Sequence, residues 1–323
     1  MYFCSTKFIY IISKMNQLTN HIMMIRPANF GFNDQTASNN AFQSTDKIAD
    51  AKALKDIAKG EFDSMVSTLR SEGVDVLVIE DTVEPIRPDA VFPNNWISFH
   101  ENGALITYPM YAPNRRLERR EDIIEIIEDK FKVKNRYSFE FYEDEDEPLF
   151  LEGTGSMIFD RKNEIVYACL SPRTDAVLID KFNVLMNTRS VVFHALDRNG
   201  KEIYHTNVMM ALGHDFVVIC MESVKTEESK TQLRKIFDQT GKEIIEITLD
   251  QMEAFAGNML EVLGKGGKRL LCLSQTAYNS LTQLQKEKLS QKTTLLPLAI
   301  DHIEKFGGGS VRCMMAEIFL PIK

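Results

Sequence analysis

One local pattern returns four times along this 323-residue chain, each time with a polar residue at its entrance. Asn94-Asn95 precedes WISFH, a turn and ALITYPM, and Glu152-Gly153-Thr154-Gly155 precedes SMIFD, a turn and EIVYACL. His205-Thr206-Asn207 precedes VMMAL, a turn and FVVICM, and Gly257-Asn258 precedes MLEVL, a turn and RLLCLS. Each copy is two β-rich runs joined by Gly, Asn or Asp, the mark of a hairpin. A fifth entrance, GGGSVR-Cys313 followed by MMAEIFL, comes last. A period of roughly 50–60 residues belongs to a repeated supersecondary unit. Length alone permits two domains, but the repeat predicts one closed body of five similar units. Arranged radially, the entrances meet at one axis and bring Asn95, Glu152, His205, Asn207 and Cys313 into one pocket.

Helical periodicity falls between the hairpins. It covers residues 46 to 71, between the strand HIMMIR (21–26) and a second strand in VDVLVIE, and Thr174 to Phe182, Glu222 to Phe237 and Gln275 to Leu289. The unit therefore reads strand, strand, helix, strand, an α/β class. Pro27 to Gln43 reads as a polar loop. Arg115-Arg116 with Arg119-Arg120, just before the amphipathic EDIIEIIEDKFK, reads as a solvated helix face. The acids of FYEDEDEPLF read as a solvated loop with no catalytic role.

A net charge of −8 and a pI near 5.4 give no footprint for nucleic acid, which leaves a small molecule as the expected partner and oligomeric state open. Five cysteines without a CxxC pair suit a reducing compartment, so a cytoplasmic protein without disulfides is expected, and no His/Cys spacing suits zinc. Cys169, Cys220 and Cys272, each at the second strand of its hairpin among aliphatic residues, read as small buried hydrophobes. Cys4 lies in MYFCSTKFIYIISK, too short and interrupted to cross a bilayer. Met15 offers a second start, so residues 1 to 14 read as an extension and 15 to 323 as a single catalytic domain. A signal peptide is the alternative reading of that segment.

Cys313 breaks the pattern of the other cysteines by standing at an entrance. Three glycines at 307 to 309 let backbone approach closely, and Arg312 beside it favours the reactive thiolate. The alternative is a fourth structural cysteine. A thiolate nucleophile needs a proton-transfer partner, and of six histidines only His205 sits at an entrance among short polar neighbours. Glu152, between Leu151 and Gly153, completes a Cys, His, carboxylate set.

These residues resemble the pentein superfamily, whose members modify guanidino and ureido groups. The motifs are PDAVFPNNW (88–96), LEGTGS (151–156), SPRT (171–174), YHTN (204–207) and GGGSVRC (307–313), and with IRPANFGFN (25–33) the set looks most like the citrulline-utilisation hydrolase branch. The resemblance implies a five-bladed α/β propeller with Cys313 as nucleophile, His205 as acid and base and Glu152 orienting the substrate. It also implies that Asp89, Asn94, Asn95, Arg173 and Asn207 bind an amino-acid substrate, Arg173 through its carboxylate. Arginine deiminases and dimethylarginine hydrolases carry an acid where this chain has Asn95, and the deiminases another where it has Asn207. A buried guanidinium needs such acids, whereas a neutral ureido group offers a carbonyl oxygen to an amide donor.

The expectation is therefore hydrolysis of citrulline to ornithine, carbon dioxide and ammonia through a covalent intermediate, with no metal or other cofactor and with the Gly307–Gly309 backbone donating to the tetrahedral oxygen. Asp89 keeps arginine deiminase, dimethylarginine hydrolase and amidinotransferase activity open, and a non-catalytic binding module of the same fold is the second alternative.

Overall fold

A computed structural model describes residues 15–37, 40, 42–43 and 51–323. The expectations for residues 1 to 14, Cys4 included, and for the start of the first helix at 46 lie outside the described residues.

The hairpins form where the alternation placed them. In chain order the strands are β1 His21–Arg26, β2 Asp75–Glu80, β3 Ile97–Phe99, β4 Ala104–Thr107, β5 Asn135–Ser138, β6 Ile158–Asp160, β7 Ile165–Cys169 and β8 Arg189–Phe193. They continue as β9 Met210–Leu212, β10 Phe216–Ile219, β11 Glu243–Glu246, β12 Leu260–Leu263, β13 Arg269–Ser274, β14 Thr294–Leu298 and β15 Ala316–Glu317. The described strands make five three-stranded sheets: β3-β4-β5, β6-β7-β8, β9-β10-β11, β12-β13-β14 and β15-β1-β2. In every sheet the first pair is antiparallel and the third strand joins parallel to the second. A parallel partner requires a crossover, and helical segments supply it. The result is a five-bladed α/β propeller of pseudo-fivefold ββαβ units.

The last unit is assembled from both ends of the described chain. β15 pairs with β1 at only two positions, Ile22 with Glu317 and Met23 with Ala316, and the Ile318 N–H adds a 2.8 Å bond to the His21 carbonyl. The crossover between β1 and β2 is Ala51–Ser71, whose buried Leu54, Ala58, Phe62, Met65 and Leu69 fall at helical spacing and seal that blade. Other crossovers are Ala176–Met186, started by the Asp175 side chain on the Val177 N–H, and Glu227–Gln239, started by Thr226 on Ser229. The expected helix at 275 to 289 is two, Gln275–Ser280 and Gln283–Ser290, because Thr282 forms a capping box with Gln285 and restarts the helix. Cys169, Cys220 and Cys272 are fully buried, and burial pushes the Cys169 thiol up to about 12.

The basic segment departs from its sequence reading, and the acidic one does so at Glu143. Arg115 is 3 % exposed, and Glu118, three residues on, is equally buried and binds it at 2.8 and 2.9 Å. Glu143, from the acidic run, is buried, pairs with Arg119 and accepts the Met110 N–H at 2.8 Å. The basic segment is therefore not a solvated face, whereas Asp144, Glu145, Asp146 and Glu147 of the acidic run are exposed as read, with Glu143 buried. In each case an ion pair closes over the partner's charge, which periodicity does not encode.

Candidate active site

Each repeat enters its first strand through a tight turn: Pro93–Asn95 before β3, Gly153–Ser156 before β6, Thr206–Met209 before β9, residues 254–257 before β12 and 311–314 before β15. Glycine is required where these turns crowd. A Cβ on Gly155 would stand 2.4 Å from Asn95 Nδ2 and 2.8 Å from His205 Nδ1, so that glycine is what lets the amide and the imidazole approach each other. Gly307 and Gly309 face the Phe92 ring, which a Cβ on either would meet at 2.8 Å.

The turns border a pocket lined in part by Asp89, Asn95, Arg115, Arg173, Tyr204, His205 and Cys313. His205 Nε2 lies 2.7 Å from Glu152 Oε2. Burial pushes the Glu152 carboxyl up, but Arg173, the bond to His205 and Arg115 outweigh it and hold it at about 2. Burial lowers His205 to about 4 against the pull of Glu152. At neutral pH the contact is therefore an imidazole N–H donating to a carboxylate, which leaves Nδ1 as the basic nitrogen. The other Glu152 oxygen accepts the Tyr111 N–H at 2.9 Å, so the carboxylate is fixed at both ends.

Arg173 lies 3.5 Å from Glu152 Oε2 and stacks over the Tyr204 ring at 4.9 Å. Arg115 places Nη1 2.9 Å from Asn95 Oδ1 and donates Nη2 to the Phe92 carbonyl. Asn95 Nδ2 has no hydrogen-bond partner among the described residues. Asp89 is buried, accepts from Asn33 Nδ2 at 2.7 Å through Oδ2 and leaves Oδ1 without a described partner. Burial raises its carboxyl, opposed by Arg115 and by the Asn33 bond.

Cys313 Sγ receives Asn207 Nδ2 at 3.4 Å and Asn258 Nδ2 at 3.2 Å. Arg312 does not play the part its position suggested. Its guanidinium is engaged by the Met315 carbonyl and by Glu317, each at 2.8 Å, on the side away from the cavity, so its charge is already matched. The Gly308 N–H is likewise engaged, donating to the Glu304 carbonyl at 2.9 Å, which removes it as a donor to a substrate oxygen. Asn94 is buried but does not line the cavity; its carbonyl accepts the Thr154 hydroxyl. Asn207 reaches the site through the sulfur rather than the cavity wall.

The structure brings Cys313, His205, Asp89, Asn95 and Arg173 to one pocket, sets Glu152 on His205 and Asn207 on the sulfur, and adds Arg115, Tyr204 and Asn258, which the sequence reading did not single out. Asn258 stood at a repeat entrance equivalent to the others, which was signal enough to include it. Arg115 carried no such mark. Among the described residues no group of three or more His, Cys, Asp or Glu side chains could hold a metal ion, and no helix is long and apolar enough to cross a membrane.

A family profile described as N,N dimethylarginine dimethylhydrolase, eukaryotic, matches residues 26–320. No curated protein matches the chain. Among solved structures, the N-terminal domain of ArgZ, a cyanobacterial arginine dihydrolase, bound to its substrate, superposes with a TM-score of 0.72 at 16% identity, over 94% of this chain and 99% of that one. Against full-length ArgZ the match spans 41% of the longer protein. A dimethylarginine dimethylaminohydrolase adduct with S-methyl-L-thiocitrulline gives 0.60 at 17% identity, over 93% of this chain and 99% of that one. At such identities the structural likeness shows the shared fold.

Proposed function

The chain belongs to the eukaryotic N,N-dimethylarginine dimethylhydrolase family, within the pentein superfamily of guanidino-modifying enzymes, and from that premise we propose that this C–N hydrolase takes a ureido amino acid, citrulline, as substrate. One observation carries the choice. The Arg115 guanidinium, which can only donate, occupies Asn95 Oδ1 at 2.9 Å and so turns the unpartnered Nδ2 toward His205. A guanidinium substrate would meet that donor with donors of its own. A ureido oxygen would accept from it.

In this reading Cys313 attacks the ureido carbon, and His205 Nδ1 takes the thiol proton and delivers it to the departing nitrogen. The carbon–nitrogen bond breaks, ornithine leaves as the amine and a carbamoyl thioester remains on sulfur. Water, deprotonated by His205, then attacks the thioester carbon, Cys313 regains its proton, and the released carbamate decomposes to carbon dioxide and ammonia. Glu152 holds His205 in the required tautomer, and Arg173 faces the substrate carboxylate. A second reading rests on Asp89, whose unpartnered oxygen would suit a guanidinium, and agrees with the arginine and methylarginine chemistry of the structural relatives.

Incubation with citrulline, arginine and dimethylarginine, with ornithine, citrulline and ammonia quantified, separates the two. The expected result is ornithine and ammonia in equal amounts from citrulline, with Cys313→Ser at least about a thousandfold slower. Turnover of dimethylarginine or arginine but not citrulline gives the site to the second reading.

A further inference from the structure

We infer that Asn258 is a positioning residue that aims the Cys313 sulfur and donates to the negative charge it carries once His205 has taken its proton; the catalytic meaning of this role rests on the reading of Cys313 as nucleophile.

Asn258 is 2 % exposed, and its amide is engaged at both ends. Oδ1 accepts the backbone N–H of Arg312 at 3.0 Å and that of Cys313 at 3.4 Å. Nδ2 donates to the Asn207 carbonyl at 2.9 Å and to Cys313 Sγ at 3.2 Å. Oδ1 lies further from the sulfur, at 3.6 Å. Reversing the amide would set its NH₂ against two N–H donors and its oxygen against a carbonyl, so the neighbours dictate that Asn258 presents a donor to the sulfur.

Asn207 supplies the other donor, but its Oδ1 has no described partner, so no comparable network fixes its orientation. N–H donors favour the charged form of the group they face, and the thiolate is the nucleophilic form of cysteine. Gly257 makes the arrangement sterically feasible, since a Cβ there would stand 2.2 Å from the Val208 carbonyl oxygen. The charged and titratable groups sharing the cavity with the sulfur are Asp89, Arg115, Arg173, Tyr204 and His205. Arg312, next in sequence, has its charge matched by Glu317. The donor fixed on the sulfur by its own surroundings is thus a neutral amide.

The test is Asn258→Asp in the full-length protein, which keeps the shape and the acceptor for the two backbone N–H groups while replacing the donor to sulfur by an acceptor. Iodoacetamide alkylation of Cys313, read at its own peptide by mass spectrometry across pH 5 to 10, reports thiolate without requiring substrate. The expected result is a rate profile displaced upward by about one pH unit and alkylation roughly tenfold slower at pH 7, in a variant that is folded at the assay temperature though less stable, because its carboxylate faces the Asn207 carbonyl. Should that variant fail to fold, Asn258→Ser removes the same donor without adding charge and is read in the same way. A folded variant with the parent's alkylation profile overturns the inference. Turnover surviving Cys313→Ser would instead defeat the nucleophile reading and leave the profile to decide what Asn258 does to the sulfur.

Discussion

At the residue scale, the proposed choice of substrate turns on which end of the Asn95 amide faces the cavity. Asn95 has the same shape as aspartate but offers a donor, and Arg115 consumes its oxygen. Asn95→Asp would place a second acceptor beside His205 and pair with Arg115, favouring a cationic substrate over a neutral one. The expected outcome is a fall of about 10- to 100-fold in the ratio of kcat/KM for citrulline to that for arginine, the scale of one buried hydrogen bond lost or mismatched. Steady-state kinetics on both substrates check it, and an unchanged ratio removes Asn95 from substrate choice. Asp89 belongs to the same scale. Its identity was legible in PDAVFPNNW, but its buried, half-satisfied carboxyl was not, because Asn33 and Arg115 come from elsewhere in the chain.

At the element scale, the entrance turns convert a repeat into a site. Strand alternation and turn residues made all four internal hairpins readable, since period-two patterning and Gly, Asn and Asp corners are local properties. The helix boundaries moved by a few residues where capping side chains reset them, as Thr282 does. Tightness at the entrances was less legible. Nothing in LEGTGS marks the use of Gly155, which is to let Asn95 and His205 approach. Gly155→Ala should therefore lower kcat by about a hundredfold through displacement of the imidazole, while the melting temperature falls by only a few degrees, because the obstructing atoms are side chains rather than backbone. Parallel measurement of turnover and thermal unfolding distinguishes this from global damage, which would lower both together.

At the scale of the whole molecule, the ring is closed where the first and last described strands meet. Four sheets hold strands contiguous in the chain, whereas β15-β1-β2 depends on two paired positions and the bond from Ile318 to His21. Ile318→Pro removes that donor and a buried side chain, and should cost about 3 kcal/mol in urea unfolding, with activity at low temperature less affected than stability. A loss under about 0.5 kcal/mol would mean that closure does not depend on this strand. The sequence by itself determined the five-unit plan, the strands and the residues at the entrances, because periodicity, turn chemistry and motif order are carried by near neighbours in the chain. Only the tertiary structure decided that Arg115 is buried against Asn95, that Arg312 turns away to Glu317 and that Asn258 holds the sulfur. Each of those outcomes depends on partners brought together by ring closure, and the direction of a hydrogen bond is fixed only when both of its groups are in place.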